Sequence, residues 1–110
     1  MAYHIQYSKL FVRDLDRIWE EVFAVSKNKT TANNYIDDFL NKIEKYVDFP
    51  KSASPLYYEH AWTGYYFITF KVYIAFYHIE NNTIFVDRAL YAKSDYMQKL
   101  NLSGCRKPKP

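Results

Sequence analysis

YYFITFKVYIAFYHIENNTIFVDRAL, residues 65–90, is the stretch around which the rest of the chain is arranged. Aromatic and β-branched residues crowd it, and these are the side chains that fit a pleated, half-buried surface. Glu80-Asn81-Asn82 is polar and rich in the residue that best tolerates left-handed backbone after glycine, so it reads as a hairpin turn. A second break is placed at Lys71-Val72, because nearly twenty uninterrupted residues exceed the ordinary length of a strand. The expected product is three antiparallel strands, Tyr65 to Phe70, Tyr73 to Ile79 and Thr83 to Leu90. The last of them delivers Asp87, Arg88, Tyr91, Lys93 and Asp95 to one end of the sheet.

Outward from that stretch, Tyr3 to Tyr7 alternates apolar Tyr3, Ile5 and Tyr7 with His4 and Gln6, the pattern of a strand with one buried face. Ser8 is placed to cap a helix whose apolar stripe runs Phe11, Leu15, Ile18, Val22 and Val25. Arg13, Asp14, Arg17, Glu20 and Glu21 fall on its other side and read as solvated charges. Thr30 or Thr31 is placed to cap a second helix with Tyr35 or Ile36, Phe39, Leu40, Ile43 and Val47 as its stripe, ended by Pro50. Neither helix buries its stripe alone, so both are expected across one face of the sheet. Residues 51–64 read as a loop, and Ser94 as the cap of a short last helix. The fold class is therefore α+β: an N-terminal strand, an antiparallel two-helix hairpin packed on a mainly antiparallel four-stranded sheet, and a short C-terminal helix. Residues 1–100 make one domain, and residues 101–110 a mobile basic tail.

Composition excludes several function classes. The chain has 110 residues and one cysteine, Cys105, enough for a core without disulfide or metal and suited to a reducing cytoplasm. No apolar run approaches a membrane span, and the first residues lack a signal-peptide pattern, so a cytoplasmic protein without membrane contact is expected. His4, His60 and His78 are scattered, so no metal is expected. With only Gly64 and Gly104, no phosphate-cradling loop exists and no cofactor is indicated. His60 beside Glu59 is a weak candidate for a base with an orienting carboxylate.

Charge is uneven. Residues 1–70 hold eight Lys/Arg against nine Asp/Glu, and residues 71–110 hold seven against three. The basic half suits a polyanion or an acidic partner. Arg88, Tyr91, Lys93 and Tyr96 gather two cations and two phenols near the sheet end, where Arg offers a planar fork to phosphate and phenols stack on bases. An alternative stands beside it: Arg88 pairs with Asp87 or Asp95 and only ties down the last helix. Trp19, at the edge of the first helix, reads either as core or as an anchor for a partner.

Strand, helical hairpin, three strands and short helix, in that order, meet specific words. These are Arg13-Asp14-Leu15-Asp16-Arg17-Ile18-Trp19, Asp48-Phe49-Pro50, Tyr73 to Ile79, and Val86 to Tyr96. Together they resemble the RelE/ParE superfamily of bacterial toxins over residues 3 to about 100. The resemblance implies the toxin of a type II toxin–antitoxin module, of the kind tied to plasmid stabilisation. It would arrest growth, be held inactive by a cognate antitoxin, and reach operator DNA only through that antitoxin. One branch of the superfamily poisons DNA gyrase. The other cleaves mRNA on the ribosome without metal, polarising a ribose hydroxyl with basic side chains. Measured against the cleaving branch, Tyr73 stands where Arg is often found and Tyr91 where His is often found, and the long hairpin is closer to the gyrase branch. The resemblance thus makes Arg88, Tyr91 and Lys93 the candidate catalytic or toxicity residues, with Tyr73, Tyr96 and Trp19 as candidate target contacts. The readings carried forward are a gyrase poison, a ribosome-dependent mRNA endonuclease, and a non-toxic interaction module.

Overall fold

Ser8 stands between the first strand and the first helix and serves both. Its Oγ accepts from the Phe11 N–H at 2.9 Å as an N-cap and donates to the Asp87 carbonyl at 2.8 Å, while its own N–H donates to the Val86 carbonyl at 3.0 Å. In the computed structural model, which describes residues 3–100, β1 (His4–Tyr7) is followed by α1 (Lys9–Ser26) and α2 (Lys29–Glu44). Then come β2 (Ser54–Tyr58), β3 (Ala61–Phe70), β4 (Tyr73–Glu80), β5 (Thr83–Tyr91) and a single helical turn, α3 (Tyr96–Lys99). The expected tail, with Cys105, lies outside the described residues.

The five strands form one sheet in the order β1-β5-β4-β3-β2, with β1 parallel to β5 and all other pairs antiparallel. The α+β class holds, with one correction: the sheet has five strands, because part of the stretch expected as a loop is β2. Proline and serine hid that strand, yet β2 is an edge strand of the sheet, the place where a proline is tolerated. The hairpin between β2 and β3 turns on Glu59 and His60, with φ of 50° and 70° and Tyr58 paired to Ala61. Two consecutive residues of positive φ mark a two-residue hairpin turn, so Glu59 and His60 serve backbone geometry, and the loop dyad dissolves. The other two turns fall where expected, with Lys71 at φ 54° and Asn81 at φ 56°.

Both helices lie on one face of the sheet. Phe11, Ile18, Phe39 and Ile43 from the helices meet Tyr66, Ile68, Phe70, Tyr73, Ala75, Tyr77, Ile84, Val86 and Ala89 from the strands. Val25 is 87% exposed, so the α1 stripe ends at Val22. Asn28, not Thr30 or Thr31, caps α2, accepting from the Thr31 N–H at 3.0 Å. The helix stops at Glu44, well before Pro50, which opens a short 3₁₀ turn and accepts the Tyr77 hydroxyl on its carbonyl. The opposite face carries a smaller apolar group, Leu56, Ile74, Phe76, Leu90 and Leu100, with Tyr96 packed against it. Ser94 does not cap α3; its Oγ donates back to the Tyr91 carbonyl at 2.6 Å. No helix among the described residues is long and apolar enough to cross a membrane.

Candidate functional site at the β5 end of the sheet

A one-residue bulge sets this site. Phe76 pairs with Arg88 but the next residue, Tyr77, pairs with Val86, so Asp87 is the extra residue. Simple alternation would put Val86 and Arg88 on one face. The insertion instead brings Val86 and Ala89, an odd number of residues apart, both to the helix-side core. Asp87 and Arg88 are thereby released from core duty and take separate polar partners.

Arg88 reaches α1. Its Nε and Nη2 donate to the two oxygens of Asp14 at 2.8 and 3.1 Å. Asp14 is 3% exposed and accepts in addition from the Ala89 N–H at 2.9 Å and from Arg17 Nη1 at 3.0 Å. Arg17 in turn donates through Nη2 to the Ala89 carbonyl at 3.0 Å. β1 pairs with β5 only as far as Val86, so beyond that point the backbone of β5 would be an open edge. Asp14 and Arg17 fill the position of the missing strand, one accepting from and one donating to the same residue. The α1 charges expected to be solvated are therefore corrected for these two. Asp14 accepts from two guanidinium groups and a peptide N–H, the set of partners a buried carboxylate requires. Arg88 pairs with neither Asp87 nor Asp95 but with this helix carboxylate, and its pKa is raised chiefly by the Asp14 hydrogen bonds.

The network continues across the sheet. Arg17 Nε lies 3.7 Å from Glu21, and Glu21 accepts the Tyr73 hydroxyl at 2.5 Å. Tyr73 is 5% exposed, and burial, then the hydrogen bond to Glu21, pushes its phenol well above the ordinary tyrosine range. Tyr91 is 43% exposed and meets the Tyr73 ring edge-on, with centroids 6.2 Å apart. Arg17, Glu21, Tyr73, Tyr91 and Lys99 line one cavity of about 510 Å³.

The structure thus brings together Tyr73 and Tyr91, and joins Arg88 to them only through Asp14, Arg17 and Glu21. Lys93 is exposed on the turn after β5, where the preceding Ala92 N–H donates to the Val72 carbonyl at 2.8 Å. Tyr96 is on the other face, its ring 5.2 Å from that of Phe76. Trp19 lines a separate groove of about 400 Å³ between α1 and α2 with Val12, Leu15 and Ile36, rimmed by Asp16 and Asp37. Its Nε1 donates to Asn33 at 2.8 Å. Sequence reasoning missed Asp14, Arg17 and Glu21 as members of this region. Their spacing of three and four residues was the available signal, a polar line on α1 beside the Phe11–Ile18 stripe.

A second polar cluster sits beyond the bulge. His78 Nδ1 is 2.5 Å from Asp87 and Nε2 is 2.8 Å from Glu80, with the imidazole stacked on Phe85. Its pKa is raised, first by the Asp87 hydrogen bond, against the opposing effect of burial. Among the described residues no group of three His, Cys, Asp or Glu side chains is placed to hold a metal ion.

Residues 5–96 match the family described as the ParE toxin of the type II toxin–antitoxin system parDE. The chain belongs to the ParE toxin family. As a ParE-family protein it is the toxin of a type II toxin–antitoxin system, in agreement with the resemblance read from the sequence. Solved structures of similar fold include the chromosomal ParDE toxin–antitoxin system from P. aeruginosa, with TM-score 0.70 and 14% identity over 84% of this chain and 98% of that one. They also include a free-state mutant of the E. coli toxin RelE, with TM-score 0.60 and 17% identity over 90% and 93%. The RelBE2 toxin–antitoxin complex from Mycobacterium tuberculosis gives TM-score 0.55 and 17% identity over 84% and 95%. At these identities the three share the fold with this ParE-family toxin. No curated protein matches it in sequence.

Proposed function

We propose that this ParE-family toxin arrests growth by poisoning DNA gyrase through protein contact, without cleaving RNA, and that a cognate antitoxin neutralises it in the bacterial cytoplasm. The observation that carries this reading is that Arg88, a candidate catalytic residue, and Tyr73, which stands where the cleaving branch often has Arg, are both committed to partners within the fold. Arg88 spends the Nε–Nη2 edge of its guanidinium on Asp14 at 2.8 and 3.1 Å, which compensates its charge and leaves only the Nη1 side of the group for a phosphate. Tyr73 is buried and donates to Glu21, and its raised pKa makes its phenolate scarce at neutral pH. The match to the ParE family supports the same branch. Purified protein incubated with gyrase and plasmid is expected to accumulate cleavage complexes in a supercoiling assay; an unaffected gyrase would overturn the reading.

One observation favours the alternative, a metal-independent mRNA endonuclease. Tyr91 is exposed beside the cavity that Arg17 and Lys99 line, and clustered cations suit a phosphate. New 5′ ends in mRNA from expressing cells, mapped by primer extension, would establish it. The antitoxin is proposed to cover the open sheet face and the helical hairpin, including the groove beside Trp19, and operator DNA to be reached only through it. A protein that does not slow growth on induction would instead point to a non-toxic interaction module.

A further inference from the structure

The turn between β3 and β4 is made of residues that a turn does not favour. Lys71 holds φ 54° without being Gly or Asn, and the β-branched Val72 is 49% exposed. The Lys71 ammonium lies 5.4 Å from the Phe70 ring centroid and 5.9 Å from that of Tyr35. Phe70 also floors a cavity of about 520 Å³ at the end of α2, lined by Lys42, Lys45 and Tyr46, with Asp38 as its carboxylate. Lys42 donates to the Thr69 carbonyl at 2.6 Å, which uses one of the three N–H groups of its ammonium. None of the ion pairs among the described residues involves Lys42, Lys45 or Lys71. Two lysines and one carboxylate, Asp38, thus line the cavity beside Phe70, and a third lysine, Lys71, lies over the Phe70 ring.

We propose that Lys42, Lys45 and Lys71 form a contact surface for the phosphate backbone of duplex DNA. Compact ammonium charges neutralise phosphates without demanding a fixed geometry. An ammonium point charge meets phosphate oxygens rather than base edges, so the lysine contact is independent of sequence. An extended acidic peptide would gain most from an open strand edge, and β3 is already paired on both sides, by β2 and β4. The inference rests on the gyrase reading for its setting, in which the DNA is the segment that gyrase holds, and on the cluster alone for the contact.

The test uses the full-length toxin and a fluorescently labelled 20-base-pair duplex, without gyrase, followed by anisotropy over a salt series. Lys71→Asn removes the charge while suiting the left-handed turn, so a loss of binding in it is not a loss of fold; it is combined with Lys45→Gln. The comparison variant is Lys27→Ala with Lys29→Ala, two exposed lysines roughly 20 Å away at the other end of α2. The parent is expected to bind with an affinity that falls as salt rises. The Lys45/Lys71 double variant is expected to have a log–log salt slope shallower by about 2, at about 0.9 per phosphate contact. A parent that does not bind, or two double variants with the same slope, would overturn the contact, whether or not gyrase is poisoned. Displacement of the duplex by poly-glutamate at equal charge would likewise overturn it, in favour of an acidic protein segment. Binding as expected alongside an unaffected gyrase would uphold the contact and remove the gyrase reading.

Discussion

Asp14 is the side chain on which the α1–β5 junction depends. Replacing it with alanine strips Arg88, Arg17 and the Ala89 N–H of a shared acceptor. The buried Ala89 N–H left without its acceptor is expected to cost about 1–3 kcal/mol, read as a lowered urea midpoint. Arg88→Ala should cost less, because Asp14 keeps Arg17 and the Ala89 N–H. An Asp14→Ala midpoint equal to the parent's would remove the junction from the account of stability. His78 gives a pH dependence of known sign. Its folded pKa lies above the unfolded value of about 6.5. The stabilisation from its contacts with Asp87 and Glu80 is thus fully present below about pH 6.5 and is lost as pH rises through the folded pKa. The difference in urea midpoint between the parent and His78→Asn should therefore shrink as pH climbs above that value, and a constant difference would show that the imidazole is not charged in the native state.

At the scale of elements, the β2–β3 hairpin carries a cost that can be relieved. Glu59 and His60 both hold positive φ, each at roughly 1–2 kcal/mol for a residue with a Cβ. The pair Glu59→Asn and His60→Gly fits that turn and should raise stability by about 1 kcal/mol after glycine's entropy is counted. For a chain of this size that is a rise of about 4–8 °C in Tm, and a lower Tm would mean that the turn side chains make contacts of their own. The helices offer a contrast of burial. Ile43 is buried in the core, whereas Leu15 is only partly covered. Ile43→Ala is expected to cost about 2–5 kcal/mol in chemical denaturation, and Leu15→Ala less than half as much. Equal losses would mean that α1 is packed more deeply than its exposure indicates.

At the scale of the molecule, stability and toxicity are expected to separate. Tyr91 and Lys93 are exposed at the end of the sheet, and exposed side chains contribute little to folding. Tyr91→Ala and Lys93→Ala should thus abolish growth arrest with an unchanged Tm, whereas Arg88→Lys should lower both, because a lysine cannot keep the forked contact with Asp14. Full growth arrest in Tyr91→Ala and Lys93→Ala alike would move attention to the groove beside Trp19.

Several features were legible in the residues because they are local. Val and aromatic density placed β3 to β5, apolar spacing of three and four placed the helices, Ser8 stood where a cap is needed, and the order of elements with a few short words was enough to resemble the family. Long-range pairing was not legible. Asp14 and Arg88 are 74 residues apart, and nothing near either one names the other, so both read as ordinary charges. Only the tertiary structure could decide the role of Arg88. That role hangs on one extra residue, Asp87, which shifts the alternation of β5 by a single position, brings Ala89 to the core and leaves Arg88 to meet a helix carboxylate. Register is set by how strands fit each other and the core, and a shift of one residue reverses every side chain that follows it.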